Sequence, residues 1–447
     1  MRSRRIHPFL TAVGITTLVA VLGLAAQTHA QTPQVIHIDH GPNSAQAQKQ
    51  HYVVLVSLDG FRWDYARKYG AGNLLALAKQ GASAPQGMIP SYPSLTFPNH
   101  YAIATGLYPE HNGLVRNNFF DESRKSAGKL ANYSIGNPAA VTDGSWYSGT
   151  PLWSLAESQG MRTACLFWPG SEAEIAGQRP ADYLKFDDKV DESARIDQVV
   201  AWLKQPDATR PHFITLYYSD VDHAGHEFGP DAPETKAAVQ KVDALIGKLH
   251  SALIATHLPI DLIVVSDHGM AKIQGDWITL DKFADLSNFE TVGQLLYGKT
   301  EEDRVRVYNQ LKHASEKFQV YRRKDVPAGL HYNENPREGD PVIVQTGPYE
   351  IRAHGPGLNP DGTPRPDRAP DAGSHGFDPS IMPEMKASFF AAGPDIVPGK
   401  TVAPFENVNL YPWIAHILGL TAPKTDGDPN ILAGTLRDNG DSPSPAQ

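Results

Sequence analysis

Short runs of consecutive apolar residues, each closed by a polar or glycine-bearing turn, alternate along this chain with stretches whose apolar residues recur every three to four positions. The first strong run is Tyr52–Leu58, which stops at Asp59-Gly60. A run that is apolar or β-branched at nearly every position suits a strand buried on both faces. Similar runs at 162–168, 212–218, 260–266 and 386–392 predict four more strands. Helical patterning covers 73–80, 151–159, 194–203, 232–256 and 407–418; the first three are stopped by Gly81, Gly160 and Pro206. Residues 109–149 are rich in Asn and Gly and read as turns. The alternation predicts an α/β domain over 51–437, with a mostly parallel central sheet covered by helices on both faces. Between His268 and His375 the rhythm changes to a helix at 301–317, a strand at 319–323 and a Pro/Gly/Asp-dense loop at 355–373. This predicts an inserted, smaller α+β cap region at about 271–374. Residues 31–50 are Gln-rich and read as a flexible lead-in, and 438–447 as a disordered tail.

Thr96 precedes the apolar run 101–104, which ends at Gly106, and Pro98 falls in the first turn. Thr at the start, Pro just inside and Gly past the end punctuate a short helix. A helix N-terminus favours negative charge, so a phosphate would be stabilised there. Two readings of Thr96 follow: a helix cap, or a hydroxyl placed for chemistry.

Composition narrows the partners. The 447 residues carry a formal net charge of −9, which leaves no basic surplus to hold a nucleic-acid backbone. An anionic phosphate must be held locally, for example by metal. Residues 1–30 join Arg2, Arg4 and Arg5 to an apolar run at 9–26 and a small-residue site ending at Ala30. This predicts a signal peptide cleaved after Ala30 and a periplasmic or secreted protein, with an uncleaved anchor as the alternative. No later stretch is long and apolar enough to span a membrane. The sole cysteine, Cys165, lies in an apolar run and reads as an inert core thiol. Without disulfides, stability must come from the core or from metals.

Acidic and imidazole residues gather where predicted strands end. Asp59 follows the first strand, Asp222 and His226 the third, and Asp267 and His268 the fourth; His375 precedes the fifth. In an open parallel sheet the carboxyl ends of the strands form the ligand crevice. Each pair alone could be a turn or a solvated loop. Together with Thr96 they offer seven ligands, too many for one open catalytic zinc and about right for two. Mixed carboxylate and imidazole ligation suits Zn2+ better than Mg2+ or Ca2+. Two metals roughly 4 Å apart can clamp the attacking and leaving oxygens at phosphorus, with Thr96 the candidate nucleophile.

Six segments carry a resemblance. They are Ser57-Leu58-Asp59-Gly60-Phe61-Arg62, Thr96-Phe97-Pro98-Asn99-His100-Tyr101, Thr105-Gly106-Leu107-Tyr108-Pro109-Glu110-His111, Asp222 through Gly229-Pro230, Ser266-Asp267-His268-Gly269-Met270 and His375-Gly376-Phe377-Asp378. As a set, and in this order, they resemble the nucleotide pyrophosphatase/phosphodiesterase family of the alkaline phosphatase superfamily, in a compact bacterial exported form. The resemblance spans about residues 50–420. It implies an alkaline phosphatase-like fold and two Zn2+ per chain. Asp222, His226 and His375 would hold one, and Asp59, Thr96, Asp267 and His268 the other. Thr96 would attack phosphorus and form a phospho-threonine that water cleaves. Asn117, with Asn118 as the alternative by a shift of one, would steady a phosphoryl oxygen. A nucleotide base would stack between Phe97 and a later Tyr, for which Tyr183 is the candidate. His100 reads as a residue behind the ligands; His111, His223 and His354 read as loop residues.

These readings converge on an exported zinc hydrolase of nucleotide phosphodiester or pyrophosphate bonds that releases nucleoside 5′-monophosphates. Its partner would be a small-molecule nucleotide or other phosphodiester, not a nucleic acid or a membrane. A phosphomonoesterase is one alternative, kept open by Arg116 beside Asn117. A lysophospholipid or choline phosphodiesterase is another, since the family includes such enzymes. A non-catalytic periplasmic protein that captures phosphorylated ligands through metal is the alternative outside enzymes.

Overall fold

Residues 52–58 have no polar face to offer solvent, and they form the centre of the molecule. The computed structural model describes residues 34–126, 128–357, 363 and 365–437. The expected signal peptide at 1–30 and tail at 438–447 lie outside the described residues.

Nine strands form one sheet: β1 (Ile36–His37), β2 (Tyr52–Leu58), β3 (Ala82–Ser83), β4 (Thr163–Leu166), β5 (Asp182–Leu184), β6 (Phe213–Tyr218), β7 (Ile260–Val265), β8 (Phe389–Ala392) and β9 (Lys400–Thr401). Their order across the sheet is β1-β5-β4-β6-β2-β7-β8-β3-β9. The five strands from β5 to β7 are mutually parallel. Every residue of β2 is buried. Val53 and Leu55 enter one core, with the helices Thr96–Thr105 and Leu410–Ile417. Val54 and Val56 enter the other, with the helices Gly72–Gln80, Glu192–Leu203 and Pro233–Ile254. The period-2 side-chain alternation of a strand thus feeds two apolar layers, which is why β2 needs an apolar residue almost everywhere. Cys165 lies fully buried in the first layer, and burial pushes its thiol pKa up.

The predicted fifth strand forms as β8 but runs antiparallel to β7. This direction has a consequence for the site. The start of β8 lies at the same edge as the carboxyl ends of β2, β6 and β7, so His375 can precede a strand and still reach that edge.

Two expectations of irregular chain differ from the structure. The lead-in is docked: Ile36 pairs with Tyr183 and His37 with Asp182, while buried Asn43 donates to the carbonyls of Asp207 and Arg210. The apolar residues Ile36 and Ile38, spaced two apart, supply the packing that its Gln content conceals. The stretch 109–149, read as turns, contains an antiparallel hairpin of Asn118–Ser126 with Lys129–Ser134. A register shift between Asp121 and Lys125 breaks its alternation, so no clean strand period is visible.

Residues 278–353 contribute a separate small core, including Leu280, Phe289, Leu296, Val307 and Phe318. It is built on short strand pairs and the helix Glu301–Leu311.

Candidate active site

Each candidate ligand sits where an element ends or begins at one edge of the sheet. Asp59 directly follows β2. Gly60, next to it, has φ +65°, and a Cβ there would come within 2.9 Å of the Asp222 backbone. A residue without a side chain is therefore required where the β2 and β6 segments meet. Asp222 and His226 lie on a short helix, Asp220–Phe228, that opens straight after β6. Their four-residue spacing puts both on one helical face. Asp267 and His268 follow β7, and His375 arrives ahead of β8. All six side chains are buried or partly buried, with Asp267 and His268 at 0% exposure.

Two groups result. In the first, His375 Nε2 lies 3.1 Å from His226 Nε2 and 3.6 Å from Asp222 Oδ1, and His226 Nε2 lies 3.5 Å from the same oxygen. The Nδ1–H of His226 donates to the Gly373 carbonyl at 3.0 Å, and that of His375 to the Ser94 carbonyl at 2.9 Å. A carbonyl can only accept, so both rings carry their hydrogen on Nδ1 and aim a bare Nε2 lone pair inward. In the second group, His268 Nδ1–H donates to the Gly269 carbonyl at 2.9 Å. Its Nε2 faces Asp267 Oδ2 at 3.0 Å, Thr96 Oγ1 at 3.3 Å and Asp59 Oδ1 at 3.4 Å. Asp59 Oδ1, Asp222 Oδ1 and Asp267 Oδ2 are buried without a hydrogen-bond partner. Apart from the Thr96 hydroxyl, the atoms turned inward at both centres are carboxylate oxygens and imidazole Nε2 atoms.

Such an arrangement is unfavourable unless protons or cations intervene. Burial, followed by the charges of Asp267 and Asp222, pushes the Asp59 carboxyl well above the usual range. Burial likewise raises Asp222. The His375 imidazole is pushed well down by burial and then by His268 and His226. Burial opposes the Asp267 charge too, but His268 and His100 hold its carboxyl well below the usual range. The donor set, three carboxylates and three imidazoles held by backbone carbonyls, fits two metal ions of the zinc type.

Thr96 is the first residue inside its helix, not its cap; Leu95, with an extended backbone, is the cap residue. The Thr96 hydroxyl makes no capping bond. The next N–H, of Phe97, donates to Asn117 Oδ1 at 3.0 Å. This bond fixes the Asn117 carboxamide, whose NH2 has no acceptor among the described residues. Asn118 is exposed and opens the hairpin strand, so Asn117 is the one beside the helix. Arg116, which precedes Asn117, makes no ion pair or hydrogen bond among the described residues.

Behind the ligands, His100 is fully buried. Its Nε2 lies 2.8 Å from Ser57 Oγ, and its Nδ1 lies 2.8 Å from the Thr96 carbonyl and 3.4 Å from Asp267 Oδ2. His111 pairs with Asp426 and His354 with Asp281, and His223 is exposed on its helix. None of these three joins the site.

Two residues were not legible from sequence. Tyr217, the fifth residue of β6, donates its hydroxyl to Asp59 Oδ2 at 2.5 Å. A polar hydroxyl at the carboxyl end of a buried apolar strand is the signal it gave. Tyr183 is a correction: it lies mid-strand in β5, buried in the core and paired with Ile36 and Cys165. The exposed aromatic of that segment is Phe186, 53% exposed in the loop after β5 and edge-on to Tyr217 at 6.0 Å. It occupies a strand-end position like that of Asp59. Phe97 is half-buried at the helix start.

The sequence matches the family described as type I phosphodiesterase / nucleotide pyrophosphatase across residues 53–378, from β2 through the His375 loop. The chain belongs to this family. Phosphodiesterases of this family are hydrolases of phosphoric ester and anhydride bonds, and this chain is one of them. The family depends on metal ions. A Schizosaccharomyces pombe pyrophosphatase/phosphodiesterase is 36% identical over 85% of this chain and 79% of its own length. Rat ectonucleotide pyrophosphatase/phosphodiesterase family member 7 is 32% identical over 88% and 89%. A solved structure of murine ectonucleotide pyrophosphatase/phosphodiesterase 5, an inactive Thr-to-Ala variant in complex with AMP, superposes with a TM-score of 0.78. It is 27% identical and covers 87% of this chain and 100% of that one. The α/β fold expected from the alternating pattern is therefore that of the phosphodiesterase family.

Proposed function

We propose that this phosphodiesterase hydrolyses nucleotide phosphodiester and pyrophosphate bonds through two Zn2+ ions and a phospho-threonine at Thr96, releasing nucleoside 5′-monophosphates. The observation that carries this reading is the inward convergence of acceptor-only atoms around the Thr96 hydroxyl. Asp222, His226 and His375 would hold one ion, and Asp59, Asp267, His268 and Thr96 the other. When bound, the metals lower the pKa of a hydroxyl nucleophile and stabilise charge on phosphoryl and leaving oxygens. Thr96 Oγ1 forms the bond to phosphorus as the leaving oxygen departs, and water then cleaves the phospho-threonine. The Asn117 carboxamide NH2, with its oxygen tied to Phe97, donates to a non-bridging phosphoryl oxygen. His100 holds the Thr96 backbone and Asp267 in a fixed relation, and Tyr217 orients Asp59.

Phe97 and Phe186 would grip the base. Stacking contributes about 1–3 kcal/mol per base. Phe186→Ala is therefore expected to raise KM for a nitrophenyl nucleotide diester by about tenfold. KM for methyl nitrophenyl phosphate, which has no base, should stay nearly constant. An equal rise for both substrates would remove Phe186 from base recognition.

The guanidinium of Arg116, beside Asn117 and without an ion pair among the described residues, favours one second reading, a phosphomonoesterase, because a monoester carries an extra negative charge. Catalytic efficiency on a nitrophenyl nucleotide diester is expected to exceed that on nitrophenyl phosphate by orders of magnitude. The reverse preference would make the protein a monoesterase.

Export is part of the same proposal. Relatives bear the names of ectoenzymes and of venom phosphodiesterases, and no helix among the described residues is long and apolar enough to cross a membrane. A mature N-terminus at Gln31, free or as pyroglutamate, is the expected result on mass spectrometry of the N-terminal peptide.

A further inference from the structure

At the opposite end of the sheet from Thr96, where β2 and β7 begin, another set of ionisable side chains meets. His51 immediately precedes β2, Asp261 is the second residue of β7, and Asp395 lies in the loop after β8. One ligand atom from each lies within 4.8 Å of the others. His51 Nδ1 is 2.8 Å from Asp395 Oδ2, and the Asp395 backbone N–H donates to Asp261 Oδ1 at 3.1 Å. Asp261 is 0% exposed, and its Oδ2 is buried without a hydrogen-bond partner. A Cβ on Gly393 would come within 2.3 Å of Asp261 Oδ1, so the loop backbone is folded directly against this carboxylate.

Asp261 interrupts an otherwise aliphatic strand, Ile260–Val265. A buried carboxylate is retained at such a position only if something compensates its charge. Burial and the neighbouring Asp395 charge push its carboxyl up. Arg437 and His416 lie near enough to bias the two carboxyls, but neither forms an ion pair with them. His51 compensates Asp395 and Arg437 acts on Asp261 from a distance, but Asp261 Oδ2 still lacks a donor, which leaves room for a shared proton or a bound cation. One imidazole nitrogen with two carboxylate oxygens is a zinc donor set; Mg2+ and Ca2+ prefer oxygen throughout. The His51 and Asp395 side chains are 34% and 32% exposed, so solvent can complete a tetrahedral shell.

We propose that His51, Asp261 and Asp395 form a structural zinc site, distinct from the catalytic edge. It would staple the starts of β2 and β7 to the loop after β8. That loop in turn receives the Arg437 backbone N–H on the Asp395 carbonyl at 2.8 Å. In a chain with one cysteine, a metal here supplies the cross-link that a disulfide cannot.

The test compares the mature chain with His51→Ala and Asp395→Asn variants, each loaded with zinc, exhaustively desalted and assayed by plasma mass spectrometry. The wild type is expected to carry one more zinc per chain than either variant. Both variants should keep diester turnover within about twofold but have a lower Tm in zinc. An anomalous-scattering peak at the zinc edge should lie among the three side chains and vanish in His51→Ala. Equal zinc content in all three proteins, or no peak, would overturn the site and leave a proton shared between the carboxyls. His51→Ala alters a partly exposed side chain, so it remains informative if Asp395→Asn does not fold. The readout is a difference between proteins, so it stands whatever the catalytic metals prove to be.

Discussion

Thr96→Ala is expected to reduce diester turnover by roughly a thousandfold or more while leaving the fold and bound metal largely in place. The hydroxyl makes no capping bond to its own helix, and its recorded partner is His268 Nε2 at 3.3 Å. Removing it therefore costs the helix little, of the order of a surface substitution. Under the proposed assignment Asp59, Asp267 and His268 would remain to hold the second ion. A cap role predicts the opposite pattern: a lower Tm with activity retained. Two measurements separate these outcomes. Zinc content and Tm of the variant should match the wild type. Acid quenching during turnover of a 32P-labelled nucleotide should leave label on Thr96 in the wild type and none in the variant. Full turnover by Thr96→Ala, or label on another residue, would end the nucleophile assignment.

How much of this was legible in the sequence depends on which physical signal each residue carries. β2, β6 and β7 were visible because strands buried on both faces must be apolar almost throughout. The placement of the candidate ligands at their carboxyl ends followed from sheet geometry. The helix holding Asp222 and His226 was missed although Val221, Ala224, Gly225 and Phe228 recur at helical spacing: nine residues rich in Asp, His and Gly directly after a strand read as a ligand-bearing loop. The direction of β8 was invisible, because an apolar run does not state which way it points. His375 looked anomalous for that reason alone. Thr96 was misread by one position, since an extended Leu95 caps the helix without any side-chain bond. Tyr183 was taken as the second stacking aromatic because a Tyr in a Pro-led segment looks loop-like, and Phe186 was not considered. Its burial depends on the docked lead-in strand β1, whose Gln-rich neighbours read as disorder. The shared lesson is that periodicity reports burial, whereas direction, caps and edge pairing come from contacts distant in the chain.

Removing metal is expected to abolish turnover, lower Tm, and be reversed by Zn2+ but not by Mg2+. The reason lies in the acceptors. Asp59 Oδ1, Asp222 Oδ1 and Asp267 Oδ2 have no hydrogen-bond donors, and the Nε2 lone pairs of His226 and His375 meet at 3.1 Å. Without cations the site must take up protons, and the raised Asp59 and Asp222 carboxyls are where they go. Zinc binding therefore releases protons, and affinity must fall as pH falls. Any ligand that binds only the folded state stabilises it, by about 4 kcal/mol at a thousand times its Kd. A chelated sample should accordingly melt several degrees lower, by roughly 1 °C per kcal/mol for a chain of this size. Turnover should drop by at least about a thousandfold, since Thr96 then has nothing to lower its pKa. Equal recovery with Mg2+ would contradict the imidazole-rich donor set. Undiminished turnover after exhaustive chelation, with metal content verified as nil, would mean that protons alone hold these carboxylates together and that another group activates the hydroxyl.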